Sequence, residues 1–151
     1  MTGRALGPGR YRLRQLRPGD RIDAGQRQVT AGLIDAFAEM SGDRFEIHVS
    51  AEAARRHGFD DRVAHGLLVL SLVDGLKNGA PAQFDAIASL GWDWRFAAPV
   101  LADDTIAVAI TVTALRPTSD GKRGIMTLTF EVTNQRGETV QTGENRLMIY
   151  A

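Results

Sequence analysis

The stretch AHGLLVLSLVDGLKNG, residues 64–79, constrains this chain more than any other. Leu67, Leu68, Val69, Leu70, Leu72, Val73 and Leu76 leave hardly any polar face when the stretch is wound as a helix. A helix apolar nearly all round is a buried helix, so other parts of the chain must cover it. The sequence after residue 85 supplies a cover. Trp92, Trp94 and Phe96 alternate with Asp93 and Arg95, which puts the aromatics on one face of a strand. Ile106, Val108, Ile110 and Val112 alternate in the same way, as do Met126, Leu128, Phe130 and Val132 against threonines and Glu131. A longer loop, RPTSDGKRG, separates these two strands, and NQRGE makes a short turn into the closing strand TVQTGENRLMIY. One buried helix followed by long antiparallel strands is an α+β plan, a sheet curled around the helix. A sheet of that kind has an edge, and a second copy of the chain would bury it, so a homodimer or higher homo-oligomer is expected.

Upstream, RQVTAGLIDAFAEMSGD has Thr30 as an N-cap, Leu33, Ile34, Phe37 and Met40 at helical spacing, and Gly42 as the terminator. A shorter helix is expected after Ser50, through AEAARRH, stopping at Gly58. With 151 residues the chain reads as a single domain over 1–151. Its start, residues 1–14, is a basic N-terminal arm: Arg4, Arg10, Arg12, Arg14 and Arg17 all precede the first acid, Asp20. Such a stretch is a solvated arm or edge strand, or a contact for a phosphate-bearing substrate. Overall, 18 basic and 18 acidic residues balance, which gives no sign of a nucleic-acid or acidic-membrane partner. There is no cysteine, no signal-peptide run and no apolar window of spanning length, so a cytoplasmic protein is expected.

The chemistry centres on SGDRFEIHVS, residues 41–50. Asp43 falls just past a helix end, and His48 follows five positions later, in a stretch that must cross to the next helix. Taken alone the pair has two readings, a turn with surface polarity or an acid/base pair holding one water. His65 and Gly66, immediately before the apolar helix, support the second. The first turn of a helix has unpaired N–H groups and a mildly positive end. Gly66 lacks a side chain, so a ligand oxygen could come close to its N–H, as in an oxyanion hole for a thioester carbonyl. Gly66 also fits a plain tight entry into the helix, and His65 fits a capping or packing role at the same corner. A water-holding pair, an oxyanion donor and an apolar helix that could shape an acyl tunnel are the parts needed to add water across a double bond conjugated to a thioester. Trp92, Trp94 and Phe96 fit either the core or the pocket wall. His48, His57 and His65 show no ligand spacing for zinc, and no phosphate-binding glycine loop is visible, so neither metal nor cofactor is expected.

VTAGLIDAFAEMSGD followed by His48, then RVAHGLLVLSLVDGL, then RFAAPVLADDTI resemble the MaoC-like dehydratases, which include the (R)-specific enoyl-CoA hydratases. The resemblance covers roughly residues 15 to 150. It implies the hot-dog fold, an antiparallel sheet wrapped around one long central helix, usually dimeric. It also implies that Asp43 and His48 take the catalytic positions, with Asp43 the base toward water and His48 the acid toward C2, and that Gly66 takes the oxyanion position. The substrate implied is an acyl-CoA or acyl-carrier thioester. Phe45 and Glu46 stand where family members usually carry Asn and Pro. Glu46 is then either solvent-exposed or a further charge that alters which acyl group fits. A serine of the central helix assists the pair in some relatives; the matching position here is Asp74, and Ser71 is the nearest hydroxyl. The expected activity is therefore an (R)-specific enoyl-CoA hydratase or 3-hydroxyacyl-CoA dehydratase. The alternatives are a thioesterase on the same fold and a non-catalytic acyl-thioester-binding subunit.

Overall fold

The computed structural model describes residues 3–151. In chain order the elements are β1 (Gly9–Tyr11), a 3-10 turn (Leu13–Gln15), β2 (Arg21–Gln28), α1 (Ala31–Ser41), α2 (Glu46–Val49), α3 (Ala51–Arg56), α4 (Gly66–Gly79), β3 (Ala82–Phe84), β4 (Ala86–Phe96), β5 (Thr105–Pro117), β6 (Arg123–Thr133) and β7 (Thr139–Tyr150). Five strands form one antiparallel sheet in the order β2-β5-β6-β7-β4, and β1 pairs parallel with β3. The inward sets on β5 and β6 face the same core as Leu68, Val69 and Val73 of α4. Register puts Ile110 opposite Phe130 and Val108 opposite Val132, so the two apolar sets meet side by side on one sheet face. Trp92 and Trp94 of β4 close on Phe130 with ring centroids 5.3 and 5.6 Å away. This is the hot-dog arrangement, α+β with a sheet wrapped around one central helix.

The helix boundaries follow local chemistry. The Thr30 hydroxyl accepts from Leu33 N at 3.1 Å and starts α1. Gly42, at φ 78°, ends it in the left-handed conformation that glycine adopts without steric cost. Ser50 caps α3 in the same manner, accepting from Ala53 N at 3.0 Å.

Three features differ from the sequence expectation. First, α4 is not buried all round. Leu67 is 61% exposed and, one turn apart, Ser71 and Gly75 are exposed too, because the sheet covers one side of the helix and none of the described residues covers that stripe. Second, Arg21–Gln28 forms an edge strand that periodicity did not reveal. A bulge between Asp23 and Gln26, with Gly25 at φ 84°, breaks the alternation after Ile22 and Ala24. Third, the basic start is not a solvated arm: Gly9–Tyr11 forms a short strand on Ala82–Phe84, in keeping with the edge-strand reading, and the residues around it are tied to the fold. Arg4 pairs with buried Asp20 at 2.8 Å, and Leu13 and Leu16 join the core. Arg10 and Arg12 meet Asp85, which follows the C-terminal end of α4 rather than its N-terminal end. Met1 and Thr2 of that arm lie outside the described residues. No described helix is long and apolar enough to cross a membrane.

Phe130 is the largest fully buried side chain and holds both indoles against the sheet. Phe130→Ala is expected to cost about 3–5 kcal/mol of stability, read from the midpoint of denaturant unfolding.

Candidate active site

The site forms where the chain leaves α1 and where it enters α4. After Gly42, the Asp43 carboxylate accepts from Phe45 N at 3.1 Å, and Asp43 N donates to Ser41 Oγ at 3.1 Å. This small side-chain turn feeds the chain into α2. His48 therefore sits on a short helix, not in the open loop that the sequence implied. Its ring is buried, and Nδ1 lies 2.6 Å from Val63 O. A carbonyl only accepts, so Nδ1 carries the hydrogen and Nε2 of the neutral ring is left with a lone pair.

His65 comes from the other direction, one residue before α4, and is only 2% exposed. Its Nε2 donates to the backbone carbonyl of Asp43 at 2.9 Å. Its ring stacks on His48 with centroids 3.9 Å apart and planes at 24°, and Phe37 packs against it at 4.9 Å. Asp43, His48 and His65 each bring one nitrogen or carboxylate oxygen to within 4.8 Å of the others. They line a cavity of about 520 Å³ whose other walls include Ile47, Phe59, Val63, Phe96 and Val100.

Gly66 also lines this cavity and is the first residue of α4, so its N–H has no intrahelical acceptor. The space vacated by its missing side chain is not open, as the sequence reading had it. A Cβ there would collide with the ring of Phe96, so the glycine admits an aromatic wall beside the helix start.

Burial in this corner, together with the neighbouring His65, holds the His48 imidazole below its ordinary value of 6.5, against the opposing pull of Val63 O and Asp43. The ring is therefore neutral near pH 7.

The arrangement of two imidazoles and a carboxylate raises the question of a metal, because the histidines that looked unrelated in sequence are in contact here. One ion would need a lone pair from each ring aimed at a common centre about 2 Å away. Rings stacked at 24° with centroids 3.9 Å apart keep their lone pairs in two nearly parallel planes, and one nitrogen of each ring is already committed to a carbonyl. A water molecule or a substrate atom makes a smaller demand on the cluster, since it needs only hydrogen-bond distance.

The family described as MaoC like domain matches residues 14–135. The chain belongs to this MaoC-like dehydratase family. It is 36% identical over 105 residues to Protein MaoC of Klebsiella aerogenes, covering 69% of this chain and 31% of that one. It thus spans about a third of the length of that relative. It is 32% identical over 118 residues to the (R)-specific enoyl-CoA hydratase of Aeromonas caviae, covering 78% of this chain and 84% of that one. Its structure resembles the MaoC-like dehydratase of Rhodospirillum rubrum, with a TM-score of 0.85, 29% identity, and 93% and 97% of the two chains covered.

Other positions in this MaoC-like chain fall away from the cavity. Ser71 is exposed and donates to Leu67 O at 2.8 Å, and Asp74 pairs with Lys77 at 2.8 Å. Neither lines the cavity, because the helix carries both past its mouth. Phe45 is exposed and meets His48 edge-on at 6.0 Å. Glu46 turns to His57, with Oε2 2.6 Å from Nε2, and adds no charge to the cavity wall. Trp92 and Trp94 pack on the core, while Phe96, 58% exposed, forms the cavity rim. The sequence reading missed Phe59 and Gln141 as wall residues. Phe59 follows a helix stop, and Gln141 is one polar residue in a strand of many, so neither carries a local pattern.

The lowered His48 value has a sign that can be checked. The unfolded chain binds this proton more readily than the folded one, so the contribution of neutral His48 is fully present above about pH 6.5 and is lost as the pH falls through the lower, folded value. His48→Asn keeps an N–H for Val63 O and cannot titrate. The unfolding free energy of the wild type is expected to fall relative to that of His48→Asn on acidification below pH 6.5, measured by denaturant titration at several pH values.

Proposed function

We propose that this chain adds water across the 2,3 double bond of an acyl thioester with (R) specificity, and runs the reverse dehydration when the 3-hydroxyacyl thioester is in excess. The observation that carries this reading is the meeting of Asp43 and His48 in the wall of an apolar cavity that also contains the first amide of α4. The name of the Aeromonas caviae relative supports it.

The chemistry follows from what each group can give or take. One water lies between the Asp43 carboxylate and His48 Nε2, and each accepts one of its two hydrogens. The resemblance makes Asp43 the base toward water and His48 the acid toward C2, whereas here His48 takes both parts in turn and Asp43 holds the water. The bond from Nδ1 to Val63 O changes that order, because Nε2 has no hydrogen to deliver until it has received one. As the water oxygen bonds to C3, its proton passes to Nε2, and the electron pair of the double bond moves toward the thioester oxygen. The Gly66 N–H stabilises the resulting enolate oxygen at the positive end of α4. Nε2 then returns the proton to C2 as the carbonyl re-forms, so that H and OH have been added and both residues are restored. The Asp43 anion holds the water's other hydrogen and stabilises the transient imidazolium.

The reaction as written needs no metal and no nucleotide cofactor; coenzyme A or an acyl carrier enters as part of the substrate. The outer edge of β4, unpaired among the described residues and with Ile87, Leu90 and Phe96 exposed, is offered to a second copy of the chain.

Asp43→Asn is expected to lower kcat on an enoyl-CoA by about 10² to 10⁴, followed as loss of the conjugated enoyl absorbance. Release of free thiol in place of that loss would mark a thioesterase. Binding of the ester with no turnover, unaffected by the substitution, would mark a non-catalytic subunit.

A further inference from the structure

Gln141 of β7 is 2% exposed and reaches the cavity beside the first turn of α4. Its amide stands between two fixed partners. Trp94 Nε1 lies 2.7 Å from Gln141 Oε1, and Gln141 Nε2 lies 3.2 Å from Gly66 O. An indole nitrogen can only donate and a carbonyl can only accept, so the amide has a single orientation. The neighbouring strand makes room for it. Gly143 is paired with Trp94, and a Cβ there would run into the Trp94 ring and backbone, so the glycine lets the indole lie across β7 toward Gln141.

The contact matters because of which peptide it holds. Gly66 O belongs to the peptide that carries the Leu67 N–H. His65 O, which accepts from Val69 N at 3.2 Å, belongs to the peptide that carries the Gly66 N–H. A bond to its own carbonyl therefore aims each of the first two amides of α4. The Gly66 carbonyl also accepts from Leu70 N within the helix, and Gln141 Nε2 adds a second bond to it from the sheet side, far from the Asp43 loop in sequence.

We propose that Gln141, oriented by Trp94, is a positioning residue for the amides that receive the thioester oxygen, and that the Leu67 N–H acts there beside that of Gly66. This rests on the hydration reading and deepens it. Charge reaches the thioester oxygen in the transition state and not in the bound substrate. Loss of aim should therefore fall on kcat far more than on binding.

The test is Gln141→Met, which keeps the length of the side chain and removes both bonds. It is made in the wild type and in Trp94→Phe, where no indole N–H is left unpaired if the single variant folds poorly. Turnover of crotonyl-CoA, the Kd of butyryl-CoA and amide exchange at residues 66–68 are measured. The expected result for Gln141→Met is a kcat about tenfold lower with KM and Kd within about twofold, and amide exchange about tenfold faster at residues 66–68. Trp94→Phe alone should move both readouts in the same direction by less, and the double variant should match Gln141→Met, since Trp94 acts through Gln141. Unchanged exchange and unchanged kcat, or additive effects of the two substitutions, would overturn the proposal. Faster exchange in Gln141→Met, with a wild type that turns over no enoyl thioester, would sink hydration and leave the positioning role standing. An active wild type whose Gln141→Met variant is equally active would sink the positioning role alone.

Discussion

The His65 imidazole joins the Asp43 carbonyl to the start of α4. The Asp43 loop arrives from the end of α1, and the oxyanion turn arrives with α4, more than twenty positions later. His65 donates to the carbonyl of Asp43 with one nitrogen and presents its face to His48. The separation of the carboxylate from the reactive imidazole is thus set by a hydrogen bond and a ring thickness, both stiff quantities. The other nitrogen, Nδ1, is buried with no hydrogen-bond partner among the described residues. Leaving it so carries a cost on the order of 1–3 kcal/mol, which the rest of the corner must offset.

The core supplies the rigidity that this joint needs. The inward faces of β5 and β6 and the aromatic group around Phe130 hold α4 against the sheet. Its first turn is fixed from the sheet side, and its last turn is tied down by buried Lys77, which reaches Asn145 of β7 at 3.2 Å and Asp74 at 2.8 Å. A helix gripped at both ends presents its N-terminal amides to the cavity in one orientation. Such preorganisation lets a few backbone dipoles act strongly on a charge that forms only in passing.

Much of this was legible in the amino-acid sequence, and the parts that were not share a physical cause. The all-apolar helix and the alternating strands identify the layers, since both follow from a single repeating periodicity. Asp43, His48 and Gly66 stand out because they adjoin helix ends, where unpaired polar groups are expected. β2 stayed hidden because its bulge interrupts the alternation that would have announced it. The exposed stripe of α4 stayed hidden because composition says which residues are apolar, not which side a neighbour covers. Gln141 and the stacking of His65 on His48 depend on contacts between residues far apart in the chain, and no local pattern encodes them.

Position 46 shows how one local substitution changes the character of a loop. Glu46 opens α2, a place where a proline would sit without losing an intrahelical bond, and it binds His57 instead, with both side chains about half exposed. The segment carrying His48 is then braced by a hydrogen bond between two half-exposed side chains and not by a covalent ring. Water competes for both partners of such a bond, whereas a pyrrolidine fixes its backbone angle without a partner. The firmness of this wall therefore rests on a solvent-facing contact between residues 46 and 57.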